Sequence, residues 1–171
     1  MKLFLTDKSI DKIDAAVLIL LQYQDQIPFK GATEVVDWRL NGLFSHFIED
    51  NHFAGKAREV LLIPAEKRIK AKQIVVLGLG NREEFEEIYV SQVIDFIFKM
   101  LIQKKENEFC FSLSQMLPYG FEWRNAVRLL LSQWLDHPEI TRIVLSEPSE
   151  CLNEARRRNM DFGSSVYIVF E

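Results

Sequence analysis

Hydrophobic and polar positions follow two rhythms along this chain. Ala15 to Leu21 is an unbroken apolar run after Asp14, the pattern of a strand buried on both faces and central in a sheet. From Thr33 to Asp50 the rhythm changes, and Val36, Leu40, Leu43, Phe44, Phe47 and Ile48 recur at three- and four-residue steps. That spacing predicts one amphipathic helix with Thr33 as its N-cap. Glu59–Pro64 and Gln73–Gly78 read as two more strands of the buried type. The residues between them are too few for a crossover helix, so this pair is expected to be antiparallel or part of a mixed sheet.

Helical spacing returns from Tyr89 to Lys104, where Tyr89, Val93, Ile94, Ile97, Phe98 and Leu101 form one stripe. A strand at Glu108–Leu113 and a helix from about Glu122 to Asp136 follow. A strand at Arg142–Ser146, a short helix at about Ser149–Arg158 and a final strand at Ser165–Phe170 complete the series. The order β-α-β-β-α-β-α-β-α-β predicts an α/β fold with helices on both faces of the sheet.

Composition fits that picture. The 171 residues suffice for a single domain, residues 1–171, and 48% apolar residues with 13 Phe provide a large core. No repeat, low-complexity tract or linker divides them. A formal charge of -4 argues against nucleic acid or an anionic membrane as a whole-surface partner. Two local basic runs stand out, Lys67, Arg68, Lys70 and Lys72, and Arg156, Arg157 and Arg158. Both read first as solvated surface, and DNA binding would require them to converge on one face. Cys110 lies in an apolar strand-like run, and Cys110 and Cys151 have no CxxC spacing, which fits a reducing compartment. The N-terminus lacks the apolar core of a signal peptide, and no apolar run reaches membrane length. A soluble, cytoplasmic protein is expected.

The candidate chemistry is sparse. Gly78-Leu79-Gly80-Asn81-Arg82-Glu83 has two glycines of a dinucleotide fingerprint, but Glu83 stands where the third belongs. Glu83, Glu84, Glu86 and Glu87 suit a helix N-terminus and repel a further anion. Gly78, Gly80, Asn81 and Arg82 are therefore the candidate phosphate-binding residues, with a structural turn as the leading reading. His46 and Asp50 could meet on one helix face, but two ligands do not make a metal site, and His137 ends a helix before Pro138. The serines lack a nucleophile-elbow context. Asp37-Trp38-Arg39 and Glu122-Trp123-Arg124 read as rim charge pairs beside indoles. No catalytic residue, metal site or cofactor is expected.

Several short motifs carry a family resemblance. They are Leu40-Asn41-Gly42, the turn Phe53-Ala54-Gly55-Lys56 ahead of an aliphatic strand, and Val76-Leu77-Gly78-Leu79-Gly80 closing the next one. Across about residues 13–166 the chain resembles the N-terminal domain of the leucyl (cytosol) aminopeptidases, peptidase family M17. The resemblance implies a macrodomain-like fold, a three-layer α/β/α sandwich with a mixed central sheet. It also implies that catalysis in relatives belongs to a separate C-terminal domain holding two metal ions, whose lysine-, carboxylate- and arginine-bearing motifs are absent here. The chain stops at Glu171, about where that domain would begin, so a stand-alone paralogue, a fragment or a split subunit are all consistent with it.

These readings favour a non-catalytic binding, regulatory or assembly module with a protein partner or homo-oligomer. Trp38, Tyr119, Phe121 and Trp123 are candidates for its contact surface. The alternatives are a nucleotide or ADP-ribose binder acting through the glycine turn, and an accessory subunit of a separately encoded M17 metalloaminopeptidase.

Overall fold

The computed structural model describes residues 2–65, 67–157 and 167–170. Among these residues seven strands form one sheet, β1 (Lys2–Thr6), β2 (Val17–Tyr23), β3 (Val60–Pro64), β4 (Gln73–Gly80), β5 (Glu108–Phe111), β6 (Arg142–Ser146) and β7 (Tyr167–Phe170). Their spatial order is β3-β4-β2-β5-β6-β1-β7. All pairings are parallel except β3 with β4, so the sheet is mixed and the short 65–72 connection makes the expected antiparallel pair. Five helices of the described residues cover it: α1 (Gly31–Arg39), α2 (Leu43–Glu49), α3 (Glu87–Gln103), α4 (Trp123–Leu135) and α5 (Ser149–Arg157).

Strand alternation divides the core in two. Every residue of β2 is buried; Val17, Ile19, Leu21 and Tyr23 face one layer and Leu18 and Leu20 the other. The first layer holds α3, α4 and α5 through Ile94, Phe98, Leu130, Trp134 and Leu152. The second holds α1 and α2 through Val36 and Phe44. Full burial of each such side chain contributes about 1.5–3 kcal/mol, so the two-sided run at β2 is the thermodynamic spine of the fold.

Four differences from the sequence reading have physical causes. The first strand, β1, has no counterpart in the sequence pattern; its five residues bury Leu3 and Leu5 only because β6 and β7, more than 130 positions away, flank it. The helix expected over 33–50 is two helices. The chain turns at Asn41 (φ 58) and Gly42 (φ 77), and the Asp37 carboxylate accepts the N–H groups of Phe44 (2.7 Å) and Ser45 (3.3 Å) and the Ser45 hydroxyl (2.7 Å). Asp37 thus caps α2 from the preceding helix, while Thr33 is buried inside α1, whose N-cap position is Lys30. Next, β3 is not buried on both faces but is the sheet edge, with Val60 and Leu62 exposed by 40% and 50%. Finally, β5 ends at Phe111, and a 3-10 turn occupies Leu113–Met116. The predicted strand residues 165 and 166 and the helix end at Arg158 lie outside the described residues.

Candidate binding surface at the edge of the sheet

The glycine turn at the end of β4 is committed to internal contacts. Gly78 donates its N–H to the Glu59 carbonyl (2.8 Å), Gly80 to the Gly55 carbonyl (2.9 Å) and Arg82 to the Asp25 carboxylate (3.0 Å). The Asn81 amide donates to the Glu84 carboxylate at 3.3 Å, and the Arg82 guanidinium lies 5.4 Å from the centre of the Tyr23 ring. A side chain at Gly78 would place its Cβ 2.1 Å from the Lys56 carbonyl oxygen and 2.6 Å from the Gly55 carbonyl carbon. Gly78 is therefore the surface on which the 53–58 loop rests, and its lack of a Cβ is what permits that approach. Gly78, Gly80, Asn81 and Arg82 are brought together, with the three N–H donors at 78, 80 and 82 already bonded to protein oxygens.

Beside this turn, on the α3 face, a cleft of about 220 Å³ opens between β4, α3 and the 57–58 backbone. Its floor is Leu77, Leu79 and Phe96, and Arg58, Glu84 and Tyr89 stand at its rim. Small-molecule pockets commonly run to ~300–1,000 Å³, so this space suits one or two side chains better than a dinucleotide. Val60 pairs in register with Leu77 and Leu62 with Val75, which places both exposed side chains on this same face next to the cleft. The result is an apolar strip along a sheet edge left unpaired among the described residues.

The two basic runs do not converge. Lys67, Arg68, Lys70 and Lys72 occupy the turn between β3 and β4 at one edge. Arg156 and Arg157 end α5, which packs on β1 near the other edge, and Arg156 stacks 5.0 Å from the Phe170 ring centre. Four strand spacings, roughly 19 Å, separate β4 from β1. Arg158 lies outside the described residues.

The aromatic candidates separate as well. Trp38 is 73% exposed and Tyr119 fully so, while Phe121 is half-buried and Trp123 belongs to the core. The expected Asp37–Arg39 rim pair is absent, because Arg39 bonds Asp11 at 2.8 Å and Asp37 caps α2; Arg124 does pair with Glu122 at 3.1 Å. His46 bonds the Gly42 carbonyl oxygen through Nδ1 (2.7 Å) rather than Asp50; that bond, then the charges of Glu49, Asp50 and Asp37, raise its pKa. Among the described residues no group of three or more His, Cys, Asp or Glu could hold a metal ion. Cys110 is buried, which pushes its thiol up to about 12, and both cysteines are free. No described helix is long and apolar enough to cross a membrane.

One buried ionisable group escaped the sequence reading. Glu147, just after β6, accepts the backbone N–H groups of Leu113 and Ser114 and so pins the 3-10 turn after β5. Burial pushes its carboxyl up to about 7, against the Ser114 and Leu113 donors that favour the ionised form. No sequence pattern marks it, since its partners lie 33 and 34 residues away.

Comparison with known proteins decides the family. The sequence model of the N-terminal domain of the cytosol aminopeptidase family matches residues 19–123. The chain belongs to the cytosol aminopeptidase family. A probable cytosol aminopeptidase of Sulfurihydrogenibium sp. is 27% identical over 99 residues, which cover 58% of this chain and 20% of that protein. The chain thus spans about a fifth of the length of the curated relatives it matches. Among solved structures, a tomato leucine aminopeptidase mutant superposes with a TM-score of 0.59 at 11% identity over 93% of this chain and 35% of that one. A mutant of the Oceanobacillus iheyensis macrodomain with ADPR gives a TM-score of 0.63 at 14% identity, over 91% of each chain. These structural likenesses show a macrodomain-like fold for this aminopeptidase N-terminal domain.

Proposed function

We propose that this cytosol aminopeptidase N-terminal domain is a non-catalytic binding and assembly module that acts by protein contact. The observation that carries the reading is the exposed apolar strip of Val60 and Leu62 beside the Leu77–Phe96 cleft, on a sheet edge that no other strand of the described residues pairs with. Apolar side chains displayed together next to unpaired backbone favour a macromolecular partner over water. A separately encoded catalytic chain of the same family is one such partner, which would make this domain an accessory subunit.

The second reading, a nucleotide or ADP-ribose binder, draws on the fold shared with a macrodomain that holds ADPR. Against it stand the occupied N–H groups of Gly78, Gly80 and Arg82 and the four nearby glutamates. Two measurements test the choice. Sedimentation velocity of the purified chain, alone and mixed with a family catalytic chain, should show association that Leu62→Lys weakens. Calorimetric titration with ADP-ribose and with ATP should show no heat of binding. Micromolar binding of either nucleotide, abolished by Gly80→Glu, combined with no protein association, would replace the module reading with a ligand sensor.

A further inference from the structure

The free edge of β3 has a definite register. Because the Gly78 N–H donates to the Glu59 carbonyl, Glu59 directs its backbone toward β4. Antiparallel alternation then turns Leu61 and Ile63 inward, and aims the backbone groups of Val60, Leu62 and Pro64 at the open edge. Pro64 has no N–H to offer there, so the usable edge is the stretch Val60-Leu61-Leu62, with two outward donors and two outward acceptors.

That stretch is self-complementary. We propose that a second copy of this chain pairs with β3 in antiparallel fashion across a two-fold axis at Leu61. Val60 of each copy then exchanges both backbone hydrogen bonds with Leu62 of the other, and Pro64 stays outside the ladder. The inference rests on the reading of the domain as an assembly module and specifies its partner.

Charge supports this occupant over an unrelated strand. At the β4 exit, Lys56, Arg58 and Arg82 stand against Asp25, Glu59, Glu83, Glu84, Glu86 and Glu87, a net of about three negative charges. At the other end of the strand, residues 65–72 carry Lys67, Arg68, Lys70 and Lys72 against Glu66, a net of about three positive charges. Two-fold antiparallel pairing brings the positive end of each copy beside the negative end of the other, twice per dimer. A parallel arrangement would oppose like ends. The same operation sets the exposed Val60 and Leu62 of both copies side by side on the α3 face, between the two clefts.

Site-specific crosslinking tests the register. In such a ladder Leu61 faces its own counterpart as a non-hydrogen-bonded pair with Cβ atoms ~4.5–5.5 Å apart, close to disulfide reach, whereas Val60 and Leu62 lie diagonally from their counterparts at ~7–8 Å. In a Cys151→Ser background, Leu61→Cys should form an interchain disulfide under mild oxidation, and Val60→Cys and Leu62→Cys much less. Sedimentation equilibrium of the unmodified full chain from about 1 to 200 µM should show the mass rising from 20.0 kDa toward twice that value, less so at high salt. Leu62→Lys, at an exposed position, should abolish the rise with an unchanged circular dichroism spectrum. A chain that stays monomeric overturns the proposal, and so does a dimer that crosslinks equally through residues 60, 61 and 62. Association with a family catalytic chain by a strictly monomeric domain would remove this inference and leave the module reading standing.

Discussion

Glu147→Gln should remove a specific pH dependence of stability. Glu147 is 3% exposed and its carboxyl pKa rises from 4.5 to about 7, because burial disfavours the ionised form more than its donors favour it. The folded chain therefore holds this proton over a range in which the unfolded chain has released it. Stability from this group is complete below the unfolded value, declines as pH rises through the folded value, and is constant above it. The span from 4.5 to about 7 corresponds to roughly 3 kcal/mol, a large share of a typical ~5–15 kcal/mol for a whole domain. Urea unfolding followed by tryptophan fluorescence at pH 4.5 and pH 8 gives four stabilities for the parent chain and the variant. The fall from pH 4.5 to pH 8 should be smaller in the variant by roughly 3 kcal/mol, since the exposed groups common to both cancel. Gln also places an amide near the Ser114 N–H, but that cost is independent of pH and drops out of the difference. Equal pH dependence in the two proteins would refute the reasoning and place the Glu147 carboxyl in a wetter setting than its burial indicates.

Gly78→Ala should cost more than ~3 kcal/mol, or prevent folding, because the obstructing atoms are the backbone of Gly55 and Lys56 and cannot rotate away. Thermal melting would show it, and a near-parental melting temperature would mean the 53–58 loop does not rest on β4. Asp37→Ala should lower stability by about 1–2 kcal/mol through loss of the α2 cap; an unchanged urea midpoint would deny Asp37 that role.

The legibility of the fold followed the range of the interactions that made each element. The stripes of α3 and α4 and the apolar runs of β2 and β4 are local patterns, and each element appears within a few residues of its expected span. The antiparallel β3–β4 pair was legible because the length of a loop limits what it can cross. Glu147 and β1 were not legible, since each depends on partners tens to more than a hundred residues distant. The break at Asn41–Gly42 is half-legible: Leu40-Asn41-Gly42 is a recognisable motif, yet the apolar spacing runs through it and masks the turn.

The sequence alone determined the two hydrophobic rhythms, the α/β class, the acidic balance and the motifs shared with aminopeptidase N-terminal domains, because each is carried by neighbouring residues. Only the tertiary structure decided what the glycines do. Whether Gly78 cradles a ligand or supports a loop depends on which atoms occupy the space beside its Cα, and those atoms belong to Gly55 and Lys56. The edge position of β3 was decided in the same way. An apolar strand with one neighbour and an apolar strand with two can be written in the same residues, and the order of strands in space alone leaves Val60 and Leu62 facing solvent.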